Sequence, residues 1–336
     1  MTNGSRSTLL HDLQHFPDDS IDTAGLYSLV LDQATYAEEH GFAAITFPEH
    51  HNTEHGYLPS PCVMAAAVAG RTTRLALSLS ALVLPLHDVL HVAEDVAVLD
   101  VVSGGRVDLV IGAGYVPDEF TMFGAELDAR AATVEDGVAR LRRAWTGEPF
   151  EHRGVQVTIR PRPVQDPLPI TLGGSSPGAA RRAARIADAF RPTGPEHWPA
   201  YRDERIALGH PDPGEPPRSG PFVLHVAEDP ERARAQVGPA IVRGANQYLA
   251  LAAVASGTPP FAVSGLDELE GFGMVAVLDP EGALARLAEV GDGASVVVQP
   301  RFGGMTVDAG WASLELYATK VLPDLERADL DAGGTS

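Results

Sequence analysis

The chain has 336 residues, of which 44% are hydrophobic, so it is long enough for the large core of one α/β barrel. Its formal net charge of −20 disfavours binding to nucleic acid or to an anionic membrane surface. We find no apolar run long enough to span a membrane and no N-terminal export signal. The single cysteine, Cys62, excludes an intrachain disulfide, and we expect a cytoplasmic protein.

Strands and helices are predicted to alternate along the first half of the chain. Short apolar runs bounded by turn residues are typical of buried strands, and apolar residues three and four apart are typical of helices. The predicted strands are 8–13, which has the weakest pattern, 43–47, 75–84 and 107–111. The predicted helices are 26–40, 60–71, 88–102 and 131–145.

The second half of the chain continues the alternation. Further strands are predicted at 170–172, 189–193, 222–226 and 295–299, with helices at 178–186 and 311–326. Residues 228–290 exceed what one strand–helix unit needs, so we expect an elaboration over the barrel mouth. Strand–helix units without a break in composition predict one domain over 1–330, a (β/α)8 TIM barrel with parallel strands. An open doubly wound sheet is the alternative, but no G-x-G-x-x-G follows the first strand.

The carboxyl end of the second predicted strand carries the first candidate residues. Glu49, His50 and His51 follow the apolar run abruptly, and such strand ends form the active-site face of α/β barrels. An imidazole beside a carboxylate suits proton transfer near neutral pH. The alternative is a polar loop that only ends the strand.

Glycines and hydroxyls follow later strands. Gly112, Gly114 and Tyr115 end the fourth strand, and glycine there lets a ligand approach the backbone. Gly174, Ser175 and Ser176 precede a helix whose N-terminus, with Pro177, can bind an anion. An ordinary helix cap is the alternative. Together with a histidine, these features predict a phosphorylated cofactor and an acid or base.

A metal site is the alternative interpretation of the histidines. Adjacent His50 and His51 point to opposite faces of an extended chain, which disfavours shared coordination, so we predict no metal. The side chains considered for it are His50, His51, His55, His87, His91 and Glu94.

Several stretches together resemble the bacterial luciferase-like flavin oxidoreductases. They are EHH, LSALVLPLHD, HVAEDVAVLDVVSGGRVDLVIGAG, YVPDEFTMFG and, in the last third, SVVVQPRFGGM. The resemblance implies an α/β barrel that uses reduced FMN and oxygen, or a reduced deazaflavin for hydride transfer. It also implies a monooxygenase acting on a small organic substrate, a separate flavin reductase and a homodimer. A non-catalytic flavin-binding subunit is a further alternative, which the presence of His50 disfavours.

The resemblance also assigns roles to single residues. It makes His50 the active-site histidine, which Glu49 would orient. It places a non-prolyl cis peptide at Ser80–Ala81, beneath the flavin ring. The other implied cofactor contacts are Gly112, Gly114, Tyr115, Gly174, Ser175 and Ser176, with Ser175 on the phosphate.

Three features depart from the family pattern, and one of them is that the first strand lacks the usual apolar start with phenylalanine and glycine. Ala113 stands where many members carry an arginine for the phosphate, which bears on how strongly FMN is held. Asp88-Val89 stands where an X-Pro pair is usual.

Overall fold

The computed structural model describes residues 7–256, 258–259, 261–291 and 294–333. These residues group into two compact units. The central unit comprises 47–52 and 59–216, and the terminal unit comprises the described parts of 1–46, 53–58 and 217–336. The single domain expected over 1–330 stays a prediction.

Strands and helices alternate along most of the chain. The strands are β1 (Ser7–Leu10), β2 (Ala44–Phe47), β3 (Ala76–Val83), β4 (Val107–Gly112), β5 (Phe150–His152), β6 (Val155–Val157), β7 (Ile170–Gly174), β8 (Ala189–Pro192), β9 (Val223–Val226), β10 (Val275–Leu278) and β11 (Val296–Val298). The helices are α1 (Thr23–Glu39), α2 (Pro61–Ala69), α3 (Val89–Ser103), α4 (Pro117–Phe123), α5 (Arg130–Trp145), α6 (Pro177–Ile186), α7 (Trp198–Ala207), α8 (Pro230–Ser256), α9 (Leu266–Gly271), α10 (Pro280–Val290), α11 (Val307–Leu316) and α12 (Leu322–Gly333).

In the central unit, β3, β4, β7 and β8 form a parallel sheet in that order. Leu77 and Leu79 of β3 are fully buried in its core. Helix α3 begins where Asp88 accepts a hydrogen bond from the Leu90 N–H at 2.9 Å. It ends at Gly104, whose φ of 71° is the left-handed conformation that glycine adopts readily. Parallel pairing brings the carboxyl ends of these strands to one edge.

In the terminal unit, β11, β1 and β2 form a parallel sheet in that order, and β9 pairs with β10, also in parallel. Buried Tyr317 lies in a π-helical turn, Tyr317–Val321, that joins α11 to α12. Its hydroxyl is 2.6 Å from the Ser7 hydroxyl, which ties this turn to β1.

Most predicted elements are confirmed with small shifts at their ends. The elaboration expected at 228–290 is wrong in part, because it contains a strand–helix unit, β10 followed by α10, with β10 in parallel register with β9. The β5–β6 hairpin lies in the proline-rich connection before β7, where no strand was predicted. Among the described residues, no helix is both long and apolar enough to cross a bilayer.

Candidate active site

The carboxyl edge of the central sheet gathers residues from each predicted strand end. Glu49 accepts a hydrogen bond from the backbone N–H of Val83, the last residue of β3, at 2.8 Å. Gly112 ends β4, and Gly174 ends β7 with the exposed Ser175 following it. The predicted residues of this unit therefore share one edge of one sheet.

His50 lies at this edge with both ring nitrogens bonded. Its side chain is 9% exposed, and its Nδ1 lies 3.0 Å from Oε1 of Glu119. Its Nε2 lies 3.2 Å from the Tyr115 hydroxyl. A carboxylate only accepts, so Nδ1 carries the proton and Nε2 accepts from Tyr115. These two contacts hold the ring in one orientation and would fix its neutral form in one tautomer.

Tyr115 and Glu119 complete this arrangement. Burial, with the charge of Glu119 adding to it, raises the pKa of Tyr115 to about 12. Tyr115 is therefore a hydroxyl donor at neutral pH. Glu119, on helix α4, also accepts from the backbone N–H of His51 at 2.9 Å. One carboxylate oxygen thus holds the ring of His50 and the backbone of the next residue.

Glu49 does not orient His50, and that expectation is corrected. Its Oε1 bonds Nε2 of His51 at 2.8 Å and Nε2 of His87 at 2.7 Å, while both ring nitrogens of His50 have other partners. Burial alone would raise the pKa of Glu49, but the hydrogen bonds from His51, His87 and Val83 and the charge of His87 lower it to about 2. Glu49 is therefore an ionised carboxylate whose hydrogen bonds hold His51, His87 and the backbone of Val83 in place.

His87, whose side chain is 30% exposed, belongs to the same hydrogen-bonded group. Burial lowers the pKa of His87, but the hydrogen bond and charge of Glu49, with the charge of Asp95, raise it above its usual value. The sequence had suggested His87 only as a metal ligand. In the part of the chain that the structure describes, no group of three or more His, Cys, Asp or Glu side chains is arranged to hold a metal ion.

Glu119 is the site residue that sequence reasoning missed. Acidic residues in the first turn of a helix are common because they favour the helix dipole, so Glu119 carried no distinctive signal. Its partner His50 is 69 residues away in the chain. The available signal in the sequence was that apolar residues surround Glu119 in the YVPDEF stretch. In the structure, Glu119 and Phe120 are each 1% exposed.

Small residues on three adjacent strands of the central sheet lie close together. We call Ala81 of β3, Gly112 of β4 and Gly173 of β7 the small-residue floor, and each is partly exposed. A Cβ at Gly112 would lie 3.0 Å from the Cβ of Ala81, and one at Gly173 would lie 4.0 Å from it. None of these three positions carries a side chain larger than a methyl group. The Ser80–Ala81 peptide is cis, as the resemblance implies.

The N-terminus of α6 provides hydrogen-bond donors at the same edge. Ser176 caps the helix by accepting from the Ala179 N–H at 3.2 Å, and Ser175 is exposed beside it. Hydroxyls at a helix N-terminus suit a phosphate. Ala113, partly exposed after β4, offers no charged group.

The fold and the site together define the class of protein. It is an α/β protein whose candidate site lies at the carboxyl ends of parallel strands. Residues 13–297 match the family described as luciferase-like monooxygenase, and the chain belongs to this family.

Two solved structures show the same fold. One is the monooxygenase RslO1 from Streptomyces bottropensis, with a TM-score of 0.77, 26% identity, and coverage of 95% of this chain and 99% of that chain. The other is the oxygenating constituent of 3,6-diketocamphane monooxygenase from Pseudomonas putida, in complex with FMN, with a TM-score of 0.73, 20% identity, and coverage of 96% and 99%. At that identity the second likeness concerns the fold alone. The predicted fold class, a luciferase-like TIM barrel, is confirmed.

A curated relative bears on the cofactor. The F420-dependent glucose-6-phosphate dehydrogenase of Nakamurella multipartita is 34% identical over 189 residues, 52% of this chain and 55% of that protein. The chain spans about half the length of the first curated relatives it matches, with 46%, 58% and 55% of each covered.

Proposed function

We propose that this protein is a flavin-dependent monooxygenase that uses reduced FMN and oxygen on a small organic substrate. The observation that carries the proposal is the fixed imidazole of His50 at the sheet edge to which the small-residue floor belongs. The family and its monooxygenase RslO1 support the reaction class. A separate flavin reductase would supply the reduced cofactor. The homodimer and the cytoplasmic location stay predictions.

His50 is the proposed acid or base. In its neutral form Nε2 accepts a proton, and the carboxylate of Glu119 at 3.0 Å from Nδ1 stabilises the resulting imidazolium. Tyr115, held protonated, keeps Nε2 in place until a substrate group replaces its hydroxyl. His50 can therefore deliver or remove one proton at Nε2 without a change in ring orientation.

The remaining residues of the edge suit the cofactor. Reduced FMN, when bound, would supply the electrons that activate oxygen, while the protein binds, orients and shields it. Ala81, Gly112 and Gly173 would lie under the ring, with Ser80, Gly114 and Tyr115 around it. Gly174, Ser175, Ser176 and the α6 N-terminus would hold the phosphate.

A deazaflavin-dependent oxidoreductase is the second candidate. The F420-dependent relative favours it, as does Ala113, which lacks the guanidinium that many FMN-binding members place there. The substrate would then exchange a hydride with the deazaflavin, and oxygen would not react.

The deciding experiment is an anaerobic titration of the purified protein with FMN and with F420, each oxidised and reduced, followed by fluorescence quenching. Tighter binding of reduced FMN than of either F420 form supports the monooxygenase. The reverse order supports hydride transfer. No binding of any of the four would refute both candidates.

A further inference from the structure

A charged group lies on the face of the central sheet next to Ser80. Arg191, on β8, donates from Nη1 to the hydroxyls of Ser78 at 3.1 Å and Ser80 at 3.2 Å. Its Nη2 donates to Oδ2 of Asp108 at 3.0 Å, and the Ser78 hydroxyl donates to the same oxygen at 2.6 Å. We call these four residues the Arg191 network.

The strand register explains how the network forms. Ser78 and Ser80 are two residues apart on β3 and so share a face, and Ser78 is in register with Asp108 on β4. Arg191 is in register with Gly173 on β7. Because β7 and β4 separate β8 from β3, the arginine side chain crosses the sheet face from Gly173 towards Ser80. The residue it starts beside belongs to the small-residue floor.

The network is open to solvent. The side chain of Arg191 is 47% exposed and that of Asp108 is 37% exposed. An ion pair that served only to fill a core would be enclosed, whereas about half of this arginine side chain is exposed. A ring that lay on the floor would displace water from the Arg191 guanidinium. The positive charge of the guanidinium would then act more strongly on the ring.

We propose that Arg191 makes this site prefer a reduced, anionic flavin ring to the neutral oxidised ring, and that Asp108 limits that preference. The inference rests on the proposed function. Reduced FMN carries a ring charge near N1 that oxidised FMN lacks, and positive charge there stabilises the reduced form. Selection of the reduced form suits an enzyme that receives its flavin already reduced. Arg191 acts on binding and potential, not on bond making.

The test compares dissociation constants of reduced and oxidised FMN, measured anaerobically, in four proteins. The proteins are the wild type, Arg191→Met, Asp108→Asn and the double variant. Removal of Arg191 leaves the Asp108 carboxylate without its cationic partner, so the preference for reduced FMN should fall about tenfold. A tenfold change corresponds to a fall of about 30 mV in the two-electron potential of bound FMN. Asp108→Asn should move the preference in the opposite direction, and the double variant should lie between.

The opposite signs separate electrostatics from packing. Arg191→Lys keeps the charge and should retain most of the preference. Arg202→Met, in an exposed pair with Asp212, is the matched control and should change nothing. If the preference for reduced FMN shifted in the same direction in Arg191→Met and Asp108→Asn, or did not shift, the inference would be overturned. The proposed function would still stand in that case, provided that the wild type binds FMN. If Arg191→Met does not fold, Asp108→Asn alone decides by its sign. Wild-type protein that binds FMN in neither state would overturn both.

Discussion

Replacement of Glu49 by glutamine should destabilise the protein in a pH-dependent way. Glu49 is 3% exposed and holds His51, His87 and the Val83 backbone through one carboxylate. Its pKa of about 2 compares with an ordinary value of 4.5. That difference corresponds to about 3 kcal/mol of stability at pH values where Glu49 is ionised in both the folded and unfolded chain. A glutamine cannot carry this charge.

The pH range follows from the directions of two pKa changes. The folded pKa of Glu49 is lowered, so its contribution is present above about pH 4.5 and is lost as pH falls towards about 2. The folded pKa of His87 is raised, so its contribution is present below its ordinary 6.5 and is lost as pH rises through the higher folded value. Glu49→Gln should therefore cost most between about pH 5 and 6.5.

Urea unfolding followed by circular dichroism, at intervals from pH 3 to 8, measures this cost. Glu54→Gln is the control, because the Glu54 side chain is 88% exposed and 3.9 Å from His55, and its free energy of unfolding should match the wild type. If Glu49→Gln were as stable as the wild type, or lost the same free energy at pH 3.5 as at pH 6, the anchoring role of this carboxylate would be refuted.

Substitutions at four further positions test the site. His50→Ala should lower kcat about 10²–10⁴-fold with little change in unfolding midpoint or FMN affinity; wild-type turnover would make His50 a bystander. Glu119→Ala removes the partner of one buried and one partly buried N–H group and should cost about 2–5 kcal/mol in urea unfolding, against a smaller loss in Glu119→Gln; equal stabilities would contradict the hydrogen bonding. Ala113→Arg should tighten FMN binding roughly tenfold or more, and Ser175→Ala should weaken it, by fluorescence titration; no change in either would put the phosphate elsewhere.

The position of His50 was accessible to sequence reasoning because the apolar strand Ala44–Phe47 ends so sharply in ionisable residues. The glycines were accessible for a similar reason, since they interrupt apolar runs. These signals are local, and strand ends of a parallel sheet converge whatever the intervening sequence. The cis peptide came from the resemblance, because no residue preference points to a non-prolyl cis bond.

Contacts between residues that are distant in the chain could not be predicted from the sequence. Glu119 and Arg191 each act on a residue that the fold brings near, 69 residues away for Glu119 and 111 for Arg191 with Ser80. Strand β10 was missed because its four residues, VAVL, lie in a segment whose length suggested an insertion. The choice of Glu49 as the partner of His50 failed because neighbours in sequence at a strand end need not share hydrogen bonds.

The segment 47–52 belongs to the central unit although the residues on either side of it belong to the terminal unit. His50 therefore comes from a separate six-residue segment, FPEHHN. Tyr115 and Glu119 come from the long stretch 59–216. A gene fragment encoding only that stretch would keep the floor and the arginine network but lack the histidine. A contiguous segment that carries the whole candidate site must run from 47 to 216 and therefore includes residues 53–58 of the terminal unit. In a recombination of family members, a crossover between 52 and 59 exchanges the histidine independently of the residues that hold its ring.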